Sequence, residues 1–168
     1  AGTTTYNTKE SIALSVLAED IGVDGILMTV PYYNKPTQSN LINHFEMIAE
    51  SISIPGILYN VPSRTSLNMT AATTAKLSNI TNIVGVKEAS ADLGQIADII
   101  RLSNDEFLVW SGNDADTLPI LSIGGYGVVS VASHLVGKEI SRMIKLFAEN
   151  DLVQSAKIHR DLMPLIEA

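Results

Sequence analysis

The sequence predicts an α/β chain forming part of a (β/α)8 TIM barrel, and three observations lead there. Short apolar, β-rich runs alternate with longer segments of helical period. The runs begin roughly 20 to 30 residues apart, about one βα unit each, which implies parallel strands joined by right-handed crossovers. Polar residues stand at the C-terminal end of run after run, where a barrel builds its site, and no GxGxxG follows any strand as a doubly wound dinucleotide fold would require. A whole barrel has eight strands in about 250 residues. Only five units are legible here, so residues 1–168 are expected to form a single, partial barrel domain.

The elements follow in chain order. AGTTTYNT opens as a loop leading in from something upstream, with no initiator methionine. KESIALSVLAEDIG (9–22) carries apolar residues at helical spacing, with Thr8 placed to cap its start and Gly22 to end it. DGILMTV (24–30) is the first strand, and QSNLINHFEMIAESI (38–52), capped by Thr37, is the next helix. IPGILYNV (54–61), NIVGVKEA (82–89), FLVWS (107–111) and GVVSVA (127–132) are the remaining strands. Several are apolar on both faces, as a parallel sheet covered by helices needs. Helical spacing recurs in TAATTAKLSN (70–79), LGQIADIIRLSN (93–104), DTLPILSIGG (116–125), KEISRMIKLFAEN (138–150) and LVQSAKIHRDLMPLIEA (152–168).

Composition narrows the function. A net charge of −7 without a Lys/Arg cluster argues against a nucleic-acid partner or an anionic membrane, because neither would be attracted. A small metabolite is the expected partner. The absence of cysteine excludes disulfides, thiolate chemistry and cysteine metal sites. No apolar run approaches the roughly 18 residues of a membrane span, and the N-terminus lacks signal-peptide character, so the expected location is cytoplasmic.

Lys87 is the leading chemical candidate. Ile83, Val84, Gly85 and Val86 precede it, so its amine emerges among apolar or small residues, where desolvation disfavours ammonium; a neutral amine can attack a carbonyl and form a Schiff base. Gly85 would share its face and leave room for a ligand. The alternative is a strand-end lysine in water or paired to Glu88. Tyr59 and Arg64, in ILYNVPSRT, offer a phenol for proton transfer and a guanidinium that can grip a carboxylate; the alternative is a core tyrosine and a solvated arginine. Tyr32 and Tyr33 suit either a site or interface packing. Asp114 and Asp116 suit a helix N-terminal turn better than a metal pair, and no metal is expected. Gly124, Gly125, Tyr126 and Gly127 could cradle phosphate or form a tight turn. His44, His134 and His159 have ordinary packing or surface roles.

Taken together, PYYNKP, YNVPSRT, GVKEAS, SGND and GVVSVASH, in this order and spacing over essentially the whole chain, resemble the dihydrodipicolinate synthase branch of the pyruvate-dependent class I aldolases. That resemblance implies condensation of pyruvate with L-aspartate 4-semialdehyde to 4-hydroxy-tetrahydrodipicolinate, on the route to lysine and diaminopimelate, with a covalent imine and no cofactor. It implies that Lys87 forms the imine, Tyr59 relays protons, and Arg64 holds the carboxylate of the aldehyde. Tyr33 would reach across a dimer interface in a homo-oligomer, Gly112 and Val129 would line the pocket, and Asn60 with the Pro62 turn would hold the substrate-binding loop. Sialic-acid lyases and sugar-acid aldolases resemble the chain at the lysine and tyrosine but usually lack the PSRT arginine, so they are the alternative.

The sequence also departs from the family pattern. Its first three strands, including the Gly-Thr-Thr-Gly-Glu segment that binds pyruvate's carboxylate, are not represented; nor are the C-terminal helices used in tetramer contacts. The opening residues match the loop after the third strand, where Thr4 and Tyr6 replace the usual Gly and Asn. That asparagine helps bind feedback-inhibiting lysine in regulated members, beside positions matched by Glu10 and Tyr32, which leaves lysine inhibition in doubt. Two further expectations are open: a noncatalytic fragment with two unpaired sheet edges, closed by another copy or by further polypeptide, and a phosphate-binding barrel using the glycines around Tyr126.

Overall fold

The computed structural model describes residues 1–168, and its organising feature is one sheet of five strands. The strands are β1 (Ile26–Thr29), β2 (Gly56–Asn60), β3 (Ile83–Glu88), β4 (Leu108–Ser111) and β5 (Gly127–Val128). All pairings are parallel, and spatial order equals chain order. Right-handed crossovers that always step the same way put every helix on one face, so the sheet is an arc of a barrel; a doubly wound sheet reverses order at a switch point and is covered on both faces.

The helices are α1 (Thr8–Ile21), α2 (Gln38–Ala49), α3 (Pro62–Thr65), α4 (Ala71–Leu77), α5 (Leu93–Leu102), α6 (Thr117–Ser122), α7 (Ser133–Ala148) and α8 (Leu152–Ile166). Alternation of side chains along each strand sends Met28, Leu58, Val86 and Val109 outward into this layer. There they pack with Leu41, Phe45 and Ile48 of α2, Leu77 of α4, Ile96 and Ile99 of α5 and Ile120 of α6. The opposite faces of the strands point to the concave side.

Several boundaries differ from the expectation for local reasons. Asn7, and not Thr8, caps α1, its side chain accepting from the Lys9 and Glu10 N–H groups; Thr8 is already helical and bonds its hydroxyl to His44. Thr37 caps α2, and Gly22 ends α1 at φ 90°, as expected. The fifth strand stops after Val128 because the Asp114 carboxylate takes the N–H groups of Val131 and Ala132, each at 3.0 Å, which removes them from any ladder. The helix expected over 116–125 is divided into a 3₁₀ turn at Asp114–Asp116 and α6. α7 begins five residues before Lys138, with non-helical backbone at Val136 between its first turn and its body.

The edge at β1 was expected to be open and is covered. The Leu27 N–H donates to the Ala1 carbonyl at 2.7 Å, the Ala1 ammonium donates to Gly25, and the Thr4 hydroxyl both accepts from the Thr29 N–H and donates to its carbonyl. The opening residues therefore run beside β1 before entering the loop.

His44 sets a pH limit on this packing. It is 5% exposed, and its Nδ1 lies 2.9 Å from the Thr8 hydroxyl while Nε2 is buried without a partner. Burial lowers its pKa from 6.5 to about 4, since the imidazolium would have a proton with no acceptor. A depressed folded-state pKa makes the unfolded chain the stronger proton binder between those values. Stability is thus expected to be steady above about pH 6.5 and to fall as pH drops toward 4. Urea midpoints across that window measure this, and His44→Asn should flatten the slope.

Candidate active site

Parallel register brings the two leading residues side by side. Tyr59 of β2 is the partner of Lys87 of β3, and the Lys87 Nζ lies 4.2 Å from the centre of the Tyr59 ring on the concave face. Lys87 is 9% exposed. Burial holds its amine below the usual lysine range, while the Asp114 carboxylate pulls it partly back up. The Tyr59 phenol is raised by burial, with the Arg64 charge opposing. Desolvation favours the amine and outweighs the Asp114 carboxylate, which favours ammonium.

Glu88 does not pair with Lys87. The pleat turns it to the opposite face, where it is fully buried and accepts from Asn60 and from the Ser90 N–H. Gly85 does share the concave face, yet the space beside it is filled: a Cβ there would meet the Leu108 carbonyl and lie 2.5 Å from the Trp110 ring. Gly112, which follows β4, lines the Arg64 cavity but is itself a close approach, since a Cβ there would lie 2.7 Å from the Ala89 Cβ. Its N–H donates to the Glu88 carbonyl at 2.7 Å, and a Cβ there would lie 3.2 Å from Lys87 Cε.

Arg64 comes from a segment expected as a turn and found as one turn of helix. Pro62 opens α3 with its preset φ, and Ser66 ends it in the left-handed region at φ 57°. A cavity of about 420 Å³ is lined by Tyr59, Arg64, Gly112, Asp114 and Val131 among others. The four ion pairs of the chain are short-range surface pairs that leave Arg64 out, so its guanidinium is open to a ligand. Asp114 is the residue whose role sequence reasoning missed. It ties Ser130, Val131 and Ala132 to the start of the 3₁₀ turn while its charge reaches Lys87. The SGND spacing was the available signal.

Other expected site residues fall elsewhere. Asn60, expected among substrate-binding positions, is fully buried on the helix side and cannot touch a ligand in the cavity. Val129 lies past β5 and lines a separate concave cavity of about 390 Å³ with Leu27 and Ile57. Tyr33 is 88% exposed, with φ 71°, a strained value for a tyrosine. It shares a cavity of about 480 Å³ with Tyr32, Lys35 and Arg64, and does not reach Lys87 within the chain. Tyr32 packs edge-to-face on Tyr6, ring centres 5.5 Å apart, and Glu10 accepts from the Thr5 hydroxyl at 2.9 Å. Tyr126 packs on Trp110, with Gly124 at φ 105° in a tight turn. His44, His134 and His159 do not line the Arg64 cavity.

Comparison with known proteins covers the whole chain. The model of the family described as Dihydrodipicolinate synthetase matches residues 1–168. A 4-hydroxy-tetrahydrodipicolinate synthase of Dehalococcoides mccartyi is 55% identical over 168 residues, covering 100% of this chain and 57% of that protein. A crystal structure of dihydrodipicolinate synthase from Cyanidioschyzon merolae with lysine bound superposes with a TM-score of 0.95 at 47% identity, over 99% of this chain and 57% of that one. The chloride-inhibited enzyme from Acinetobacter baumannii, complexed with pyruvate, gives a TM-score of 0.95 at 35% identity, with 99% and 57% covered. The chain thus spans little more than half the length of the relatives it matches.

Two glycine substitutions separate packing from chemistry. Gly85→Ala should cost about 1–3 kcal/mol or more through overpacking against backbone, read as a lower denaturation midpoint. Gly112→Ala should also lower the midpoint, because its methyl meets the Ala89 Cβ at 2.7 Å, and in addition crowd Lys87 Cε at 3.2 Å, slowing the lysine's reaction with a carbonyl reagent by more than the stability loss explains.

Proposed function

Because the chain belongs to the dihydrodipicolinate synthetase family, we propose that it carries the imine-forming half of a synthase that condenses pyruvate with L-aspartate 4-semialdehyde. One observation carries this reading: a desolvated Lys87 amine against the ring of Tyr59, which lines a cavity together with Arg64. The neutral amine adds to the pyruvate ketone, and loss of water leaves the imine. Withdrawal of a methyl proton gives an enamine whose carbon attacks the aldehyde. The amino group of the bound product then displaces Lys87 as the ring closes, so one water is released overall and the lysine is regenerated. Tyr59 is the proton carrier within reach of the amine, and Arg64 takes the carboxylate of the aldehyde substrate. The imine is covalent, and no cofactor enters these steps.

Arg64 favours this reading over a sugar-acid or sialic-acid aldolase, because a free guanidinium at the cavity suits an incoming carboxylate. Tyr33, exposed and held in a strained conformation, is placed to enter a neighbouring subunit's site in a homo-oligomer. Tyr6 packed on Tyr32 occupies the region read as a lysine-binding position, and weak lysine inhibition follows. No Gly-Thr-Thr-Gly-Glu segment occurs in residues 1–168, so imine formation is the step these residues carry and the complete condensation needs a pyruvate-carboxylate site besides. No helix is long and apolar enough to cross a membrane; the cytoplasm is the compartment this metabolic reading assigns.

Incubation with pyruvate, reduction with borohydride and peptide mass spectrometry test the proposal. An adduct on Lys87, absent in Lys87→Ala, is expected. The trapping rate should rise with pH at lower values than for an exposed lysine, because a lowered pKa leaves more neutral amine. Arg64→Ala should keep the adduct and raise KM for the aldehyde about tenfold to a hundredfold, the scale of a lost charge-assisted hydrogen bond. An adduct at other lysines with Lys87 unmodified would overturn the assignment.

A further inference from the structure

Tyr59 and Lys87 face the concave side, and the residue after each faces the helices. Asn60 and Glu88 are also register partners, and both are fully buried. Asn60 Nδ2 donates to the two Glu88 oxygens at 3.0 and 3.1 Å and to Asn68 Oδ1 at 2.8 Å. Its Oδ1 accepts the Met69 N–H at 3.0 Å, which fixes the amide's orientation. Glu88 Oε1 also accepts the Ser90 N–H at 2.8 Å. Gln95 of α5 closes the set, exchanging hydrogen bonds with Asn68 and donating to the Met69 carbonyl.

Every protein group at the Glu88 carboxyl is a donor; burial pushes its pKa above the usual carboxylate range, while the hydrogen bonds from Ser90 and Asn60 oppose that rise and favour the charged form. A buried charge is costly to retain, and an apolar pair would fill the same space without that cost. Its geometry shows what the charge does: it ties the ends of β2 and β3 together one residue beyond the reacting pair, and through Asn60 it ties both to the 68–69 segment that follows the Arg64 helix. We infer that Asn60 and Glu88 are positioning residues for imine formation, a clamp on the outer face that sets the Lys87 amine against Tyr59 on the inner face. This inference rests on the reading of Lys87 as the nucleophile.

The test is a polarity swap in the full-length protein, with the borohydride-trapped adduct at Lys87 as readout. In Glu88→Gln, the side-chain oxygen keeps the Ser90 bond and its amide nitrogen meets the Asn60 nitrogen, donor against donor. Trapping with pyruvate should slow about tenfold to a hundredfold, the scale of a small displacement of a reacting group. Its pH profile should move toward higher pH as the loosened strand end lets water reach the amine. Asn60→Asp combined with Glu88→Gln reverses donor and acceptor within the pair at unchanged net charge, while the new carboxylate then faces the Asn68 amide oxygen, so part of the loss should return: trapping at least about threefold faster than in Glu88→Gln, with the profile moved back toward wild type.

A Glu88→Gln protein that folds and traps pyruvate at the wild-type rate and pH would overturn the inference alone. Equal impairment of the single and double variants would overturn it as well, because matched polarity would then not matter. If Glu88→Gln fails to fold, the double variant decides: folding with pyruvate trapped at Lys87 supports the clamp, and failure to fold or to trap removes it. Wild-type protein that gives no adduct would overturn the aldolase reading and this inference together.

Discussion

The site depends on the register between β2 and β3. A parallel pairing that sets Tyr59 beside Lys87 also sets Asn60 beside Glu88, and the pleat sends the two pairs to opposite faces. One face thereby receives an amine against a phenol ring that lines the Arg64 cavity, and the other receives an amide and a carboxylate sealed under helices. A slip of one residue would exchange them, placing the amine in the core and the carboxylate in the cavity. The apolar outward residues Leu58 and Val86 oppose such a slip, because their burial against the helical layer is lost in any other register.

The surrounding elements act on that pair from different directions. Gly112 supplies the close approach that lets Lys87 lie where it does, its N–H bonded to the Glu88 carbonyl so that β4 continues the alignment. Pro62 and Ser66 bound a single helical turn that presents Arg64 at the cavity. Asp114 caps the segment after β5 and places a negative charge near the amine, opposing the desolvation that would otherwise act alone. One group acts on both here: the carboxylate that ends the fifth strand also favours the charged form of the Lys87 amine.

Much of this was legible in the sequence because it follows from period. Alternating runs gave five parallel strands, and the lysine and tyrosine at strand ends marked the rim. What period does not carry is the direction of an individual side chain at a boundary. Asn60 stands next to Tyr59 and so looks like part of the site, yet alternation places it on the other face, where its partner is Glu88. Gly85 looked like space for a ligand because the residue that fills it, Trp110, is distant in sequence and arrives only through the β3–β4 register. Thr8 looked like a cap because Asn7 competes for the same role one residue earlier. The shortness of β5 depends on a carboxylate contributed from before α6, a contact no local pattern announces.

The most direct test of the account is a crystal structure of the protein after pyruvate addition and borohydride reduction. The account predicts continuous density from the Lys87 Nζ to the former ketone carbon, with the adduct beside the Tyr59 ring and the Glu88 carboxylate still bonded to Asn60 on the outer face. Pyruvate held elsewhere, with Lys87 unmodified and its amine turned to solvent, would contradict it.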